Sequence, residues 1–160
     1  MEMSGSSMIP ANVEVTWQAL NDPQFLMACI KGCESIDADG ENAYKVVMAA
    51  KIGPVSARFK GRLTLDDLDP PNAYSLSFEG QGGVAGFAKG SARVSLSPGE
   101  SVDATLLSYE VRSQIGGKLA QLGARLIDGA ARKIADDFFV AFTARIAAGN
   151  PGDPAGAAAL

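Results

Sequence analysis

Hydrophobic and polar residues alternate with a period of two through most of residues 43–115, and from residue 118 recur with a helical period. Val55, Ala57, Phe59, Gly61, Leu63 and Leu65 fall on one side of a stretch whose other side carries Ser56, Arg58, Lys60, Arg62 and Thr64. Side chains of a strand point alternately to opposite faces, so this pattern predicts a long strand over residues 55–66 with one face covered. Tyr74, Leu76 and Phe78 repeat the pattern. So do Ala88, Gly90, Ala92, Val94 and Leu96, and then Thr105, Leu107, Tyr109, Val111 and Ile115. Residues 43–51 read as a further strand. Gly53-Pro54, Asp69-Pro70-Pro71-Asn72 and Pro98-Gly99 supply turns. Alternation of this quality marks an antiparallel sheet, packed on one face and wet on the other.

Ahead of the meander, residues 2–9 read as a strand ended by Pro10. Asn12 is placed to cap a helix through Leu20. Asp22-Pro23 starts a second short helix, with aspartate at the cap and proline at the first helical position. A short strand fits near Ser35 and Ile36. From Lys118 to about Ala148, Leu119, Leu122, Leu126, Ala130, Ile134, Phe138, Phe142 and Ile146 recur every three or four residues. Asp128, Arg132 and Asp136 are spaced to pair along the opposite side. At 1.5 Å per residue such a helix would be about 45 Å long, enough to cross a sheet. One long apolar stripe must then cover the concave face of one curved sheet. This is an α+β helix-grip arrangement, as in START-like and Bet v 1-like proteins. The domain is expected over residues 1–148, followed by a flexible Pro/Gly/Ala tail or linker over 149–160.

Composition adds exclusions. The 160 residues are 47% apolar and 20% charged, with a net charge of −4 and no histidine. Without histidine, Ser-His-Asp and Cys-His catalysis is ruled out, and the commonest metal ligand is missing. Cys29 and Cys33 alone cannot complete a tetrahedral zinc shell, so no metal is expected and the thiols read as reduced. Glu79 and Glu110 fall on the wet face, which leaves acid–base catalysis without an agent and points away from an enzyme. An acidic chain without a basic tail argues against nucleic acid. The N-terminus has no basic region followed by an apolar run. No stretch approaches the roughly 20 apolar residues that span a bilayer, so the expected location is cytoplasmic.

The covered face is rich in small residues, with Ala57 and Gly61 on one strand and Ala88, Gly90 and Ala92 on another. Small residues on facing surfaces mean either close approach or unfilled space. A helix laid across a curved sheet cannot touch it everywhere, so the expectation is an apolar cavity. Its expected lining is Ala57, Phe59, Gly61, Leu76, Phe78, Ala92, Leu107, Tyr109, Leu126, Ala130 and Phe138. Gly80–Gly86 is not a dinucleotide fingerprint, because a strand follows it. It reads instead as a flexible lip. The expected portal combines Phe25, Leu26 and Met27 with Gly82, Gly83, Gly86 and Phe87. Outside, Arg58, Lys60, Arg62, Lys89, Arg93 and Arg112 form either a solvated face paired with Glu79 and Glu110 or a docking patch for an acidic partner or lipid head groups.

Four segments carry a family resemblance: Asp22-Pro23 through Cys29-Ile30-Lys31-Gly32-Cys33-Glu34-Ser35, KIGPVSARFKG (51–61), GQGGVAGFAKGSA (80–92) and GGKLAQLGARLIDGAARKIADDFF (116–139). The chain resembles the carbon monoxide dehydrogenase CoxG family of the START-like superfamily. Lys31 departs from the proline expected before Gly32. The resemblance implies an accessory protein of a molybdenum-containing CO dehydrogenase or related hydroxylase. Such a protein has the enzyme's subunits as partners and helps couple the enzyme to the cytoplasmic membrane. The implied ligand is a quinone or isoprenoid-like lipid, with no covalent cofactor. The contrasting readings are a docking or assembly factor without a ligand, and a START-like hydrolase or cyclase.

Overall fold

The computed structural model describes residues 1–149. Strand β1 (Glu2–Ile9) leads into helices α1 (Val13–Leu20) and α2 (Pro23–Cys29). Strands β2 (Cys33–Ala38), β3 (Ala43–Ile52), β4 (Val55–Asp69), β5 (Ala73–Gln81), β6 (Phe87–Pro98) and β7 (Thr105–Gly116) follow, and helix α3 (Ala124–Ala148) ends the fold. The seven strands form one antiparallel sheet in the order β1-β7-β6-β5-β4-β3-β2. β1 and β2 are its two edges, so α1 and α2 carry the chain from one edge to the other.

The local chemistry predicted for the short helices is present. The Asn12 side chain accepts from the Val15 amide at 2.9 Å, and Asp22 Oδ1 accepts from the Gln24 amide at 3.0 Å. Register puts the predicted inward sets on one face. Leu63, Phe78, Gly90 and Ser113 form one row across four strands, and Leu65, Leu76, Ala92 and Val111 form the next.

The long helix starts later than its periodicity predicts. Residues 117–122 form a 3-10 turn, and α3 begins at Ala124. The breaks are at Gly117 (φ +73°) and Gly123 (φ +90°), left-handed positions an α-helix cannot contain. The helix of 25 residues is therefore about 37 Å long. Its predicted surface pairs are also replaced. Lys133 pairs with Asp137 at 3.0 Å, while Arg132 reaches across to the sheet. The expected tail falls, from residue 150 onward, outside the described residues.

The packing is solid at one end of the grip. Ile9, Leu65, Tyr74, Val94, Leu96 and Leu107 from the sheet close with Ala19, Leu20, Phe25 and Cys29 from the short helices onto Phe142 and Ile146 of α3. Burying a Leu, Ile or Phe side chain contributes about 1.5–3 kcal/mol each, so this cluster anchors the C-terminal third of α3. Thr105 joins it without an orphaned hydroxyl, since its Oγ1 donates to the Ala11 carbonyl at 2.7 Å.

Candidate functional site

Away from the solid end, the concave face remains apolar but is no longer closed. Ala57, Phe59, Gly61, Leu76, Phe78, Ala92 and Tyr109 all point inward and are half-buried. The facing part of α3 is open in part, although Ile127 is buried at 9% exposure and Leu119 of the preceding turn at 3%. Ala130 is half-buried, while Leu126 is 38% and Ile134 47% exposed, so the stripe predicted to be covered is covered only in part. Phe138 marks the transition, packed against Phe139 and Phe142 with ring centroids 5.1 and 5.5 Å away. Tyr109 sits at the β1 edge. Its ring stacks on Phe139 at 5.5 Å and lies over Gly5, where an added Cβ would come 2.8 Å from the ring. Its hydroxyl accepts from Arg132 at 3.4 Å.

Several expected site residues have other work. Leu107 is 1% exposed within the solid core and lines no open space. Phe25 is 7% exposed and meets Phe142 edge to face, so it is a core residue and not part of a lip. Leu26 and Met27 stay half-buried beside it on α2. The Gly82–Gly86 turn packs instead on residues 116–117, at the other end of the grip from Phe25. Two of its glycines are required by close approach. A side chain at Gly82 would strike the Phe59 ring, and one at Gly86 the Gly116 carbonyl. Gly83, at φ +61° with open space around it, serves the turn alone. Phe87 covers Gly116. The tip of this turn is Val84, 87% exposed. Leu126 has methyl groups 3.2 and 3.3 Å from where a Cβ on Gly53 would stand, so the start of α3 rests on the β3–β4 hairpin.

Gly61 is likewise a close-approach glycine. A Cβ there would collide with the Glu79 carbonyl on β5, so its smallness permits strand curvature and does not signal space for a larger side chain. Sequence reading missed other inward positions: Tyr44, Val46 and Met48 on β3, which pair with Leu63, Gly61 and Phe59, and Ser113 on β7. The signal for Ser113 is the period of two through residues 105–115, which a polar serine obscures at that position. On the outer face a depression of about 460 Å³ crosses β5–β7 at this level, lined by the wet-face residues Glu79, Lys89, Arg112 and Gln114 with Phe78, Gly90 and Ser113 beneath them.

The wet face resolves into ion pairs other than the predicted ones. Arg58 pairs with Glu34 at 3.0 Å, Arg62 with the half-buried Asp39 at 2.9 Å and Arg112 with Glu2 at 3.7 Å, the other members being exposed. Arg93 donates to Ser75 Oγ at 3.1 Å. These acids lie on or beside the edge strands β1 and β2, where side chains have more freedom to reach a partner. Such pairs contribute about 0–1 kcal/mol each. Cys29 and Cys33 are free thiols, and burial pushes both above the ordinary thiol range. Among the described residues, no helix is long and apolar enough to cross a membrane.

Comparison with known proteins adds relatives to this geometry. A conserved protein from Geobacillus kaustophilus superposes with a TM-score of 0.88 at 32% identity, covering 94% of this chain and 97% of its own. A START superfamily protein from Mycobacterium smegmatis (TM-score 0.68, 15% identity, covering 90% and 95%) shares the fold. So does the Zhui aromatase/cyclase from Streptomyces sp. R1128 (TM-score 0.63, 10% identity, covering 92% and 94%). At such identities these last two show the helix-grip fold alone. No curated protein matches. The CoxG family, named for a subunit of carbon monoxide dehydrogenase, matches residues 5–147, nearly the whole described chain. The chain belongs to the carbon monoxide dehydrogenase CoxG family.

Proposed function

We propose that this protein is a non-catalytic accessory protein of a CO dehydrogenase or related molybdenum hydroxylase. It holds a quinone or isoprenoid-like lipid between its sheet and α3, and helps couple the enzyme to the inner face of the cytoplasmic membrane. The observation that carries the reading is the gradient of packing. One end of the grip is a closed core. At the other, the inward apolar residues from Ala57 to Ala92 and the facing helix residues Leu126 and Ile134 keep accessible surface. Apolar surface left open on a concave face is stabilised when an apolar molecule displaces water from it. The inward positions of β3, β5, β6 and β7, and of β4 as far as Leu65, carry no lysine, arginine or carboxylate, which suits a neutral ligand. The family membership supports the choice of partner enzyme.

The ligand passes at the N-terminal end of α3, between Val84 on the glycine-flanked turn and Leu126 over Gly53. This end replaces α2, where Phe25 is committed to the core. Membrane contact there is brief, because one exposed valine and a partly exposed leucine bury too little area to anchor a protein. Native mass spectrometry of gently purified protein, with lipid extraction, tests the reading. A bound isoprenoid or quinone is expected. Its absence, together with no uptake of quinone from vesicles, would refute it.

A further inference from the structure

The turns of the sheet divide by charge. The β3–β4 hairpin, the Gly82–Gly86 turn and the β7–α3 connection all leave the sheet at one end, beyond the row Lys60–Gln81–Phe87–Gly116. Residues 50–60, 80–89 and 113–125 at this end carry Lys51, Arg58, Lys60, Lys89, Lys118 and Arg125, all exposed, and no aspartate or glutamate. The β2–β3, β4–β5 and β6–β7 turns leave at the other end. Residues 37–44, 65–73 and 97–105 there include Asp39, Glu41, Asp66, Asp69, Glu100 and Asp103, and no lysine or arginine. Most of the basic set is uncommitted. Arg58 pairs with Glu34, but Lys51, Lys60, Lys89, Lys118 and Arg125 enter no ion pair among the described residues. Glu79, opposite Lys89 on β5, and Asp128, one helical turn along from Arg125, border the set. Strands β5 to β7, of 9 to 12 residues, hold the two ends about 30 Å apart, several times the screening length of about 8 Å at physiological salt. A surface that meets the basic end therefore feels its cations and not the net charge of −4.

Val84 stands at the tip of this end, 87% exposed. Lys51, Lys60 and Lys89 lie to one side of it on the outer face of the sheet, and Lys118 and Arg125 lie to the other, at the start of α3. We infer that this end docks on anionic lipid head groups, with the cations at the level of the phosphates and Val84 at the acyl boundary beneath them. Four of the five unpaired cations are lysines, flexible point charges that make no rigid fork. They come from separate strands and turns, so they form no fixed pocket for a single acidic side chain. Lipid phosphates move laterally and can come to each. The inference rests on the membrane contact of the proposed function. It adds the lipid charge which that contact requires and the orientation it imposes, with the open end of the grip on the bilayer and the acidic end held away.

Co-sedimentation of the full chain with vesicles tests this, using phosphatidylcholine alone and phosphatidylcholine with about 30% phosphatidylglycerol. One cation near an anionic surface is worth about 5-fold in binding. The wild type should therefore bind the anionic vesicles at least about 10-fold more tightly at about 50 mM salt, and the difference should fade by about 500 mM. Lys51→Glu combined with Lys118→Glu should lower binding to the anionic vesicles by at least about 10-fold. Lys45→Glu combined with Arg145→Glu makes the same change in net charge away from this end, beside Asp37 and in the last turn of α3, and should lower it by less than about 3-fold. All four positions lie outside the buried core, and thermal melts check that both variants fold. Equal loss in the two variants, or measurable wild-type binding that is the same on both vesicles, overturns the docking and leaves a brief apolar contact standing. No binding of the wild type to either vesicle overturns the docking and the membrane contact together, and leaves the basic end to an acidic protein surface.

Discussion

Phe25 on α2 and Phe142 on α3 meet edge to face with ring centroids 5.2 Å apart, and this contact fixes the closed end of the grip. Phe142 is 0% exposed, and its ring also touches Phe138. Truncating a fully buried phenylalanine costs about 3–5 kcal/mol, so Phe142→Ala should lower the urea midpoint sharply. Phe25→Ser should behave as a core substitution and destabilise the fold by a comparable amount. A stable Phe25→Ser variant with altered vesicle contact would instead return α2 to the portal.

Gly61 and Ala92 both face inward, yet their substitution should have opposite consequences. Gly61→Leu drives a Cβ into the Glu79 carbonyl and should destabilise by about 1–3 kcal/mol or more. Ala92→Leu enters the half-buried face in the row of Leu76 and Val111. It should keep the fold while cutting binding of a hydrophobic dye at least 10-fold. Thermal melts and dye titration of the two variants decide the point, and a stable Ala92→Leu variant with undiminished affinity would count against an occupied interior.

Arg132 ties α3 to the far edge of the sheet, donating to the Ser4 carbonyl at 3.2 Å and to the Tyr109 hydroxyl at 3.4 Å. The contacts are exposed, so Arg132→Ala should cost about 1 kcal/mol or less. It should nevertheless speed amide exchange in residues 128–135, which follow the buried Ile127 and include the exposed Ile134. Exchange rates unchanged from the wild type would show that the open half of α3 is secured elsewhere.

Burial raises the Tyr74 phenol well above its ordinary range. The folded state therefore keeps the proton after the unfolded chain has lost it near pH 10. Tyr74 contributes its full stability below that pH and loses it as the pH rises toward the folded value, at up to about 1.4 kcal/mol per pH unit. The Cys29 and Cys33 thiols, both raised by burial, act with the same sign and begin somewhat lower. Urea midpoints between pH 9 and 11 should fall less steeply for Tyr74→Phe than for the wild type. Identical slopes would mean that the ring is ionised in place.

The sequence by itself determined the architecture, because local chemistry carries it. The period of two on β4 to β7 settles which residues share the concave face. Asn12 and Asp22 place the starts of α1 and α2 through side-chain oxygens that satisfy free amides. The resemblance carried by residues 22–35, 51–61, 80–92 and 116–139 fixed the family. What only the tertiary structure decided is what each small or apolar residue is for. Alternation cannot distinguish Leu107, sealed in the core, from Ala92, left open, since both point inward and differ only in how closely α3 approaches. Composition cannot distinguish a glycine that leaves space from one that admits a neighbouring backbone, so Gly61 resembles cavity lining until the Glu79 carbonyl is seen against it. Phe25 reads with Leu26 and Met27 as an apolar cluster at a cavity mouth, and three-dimensional packing against Phe142, 117 positions away, puts it in the core.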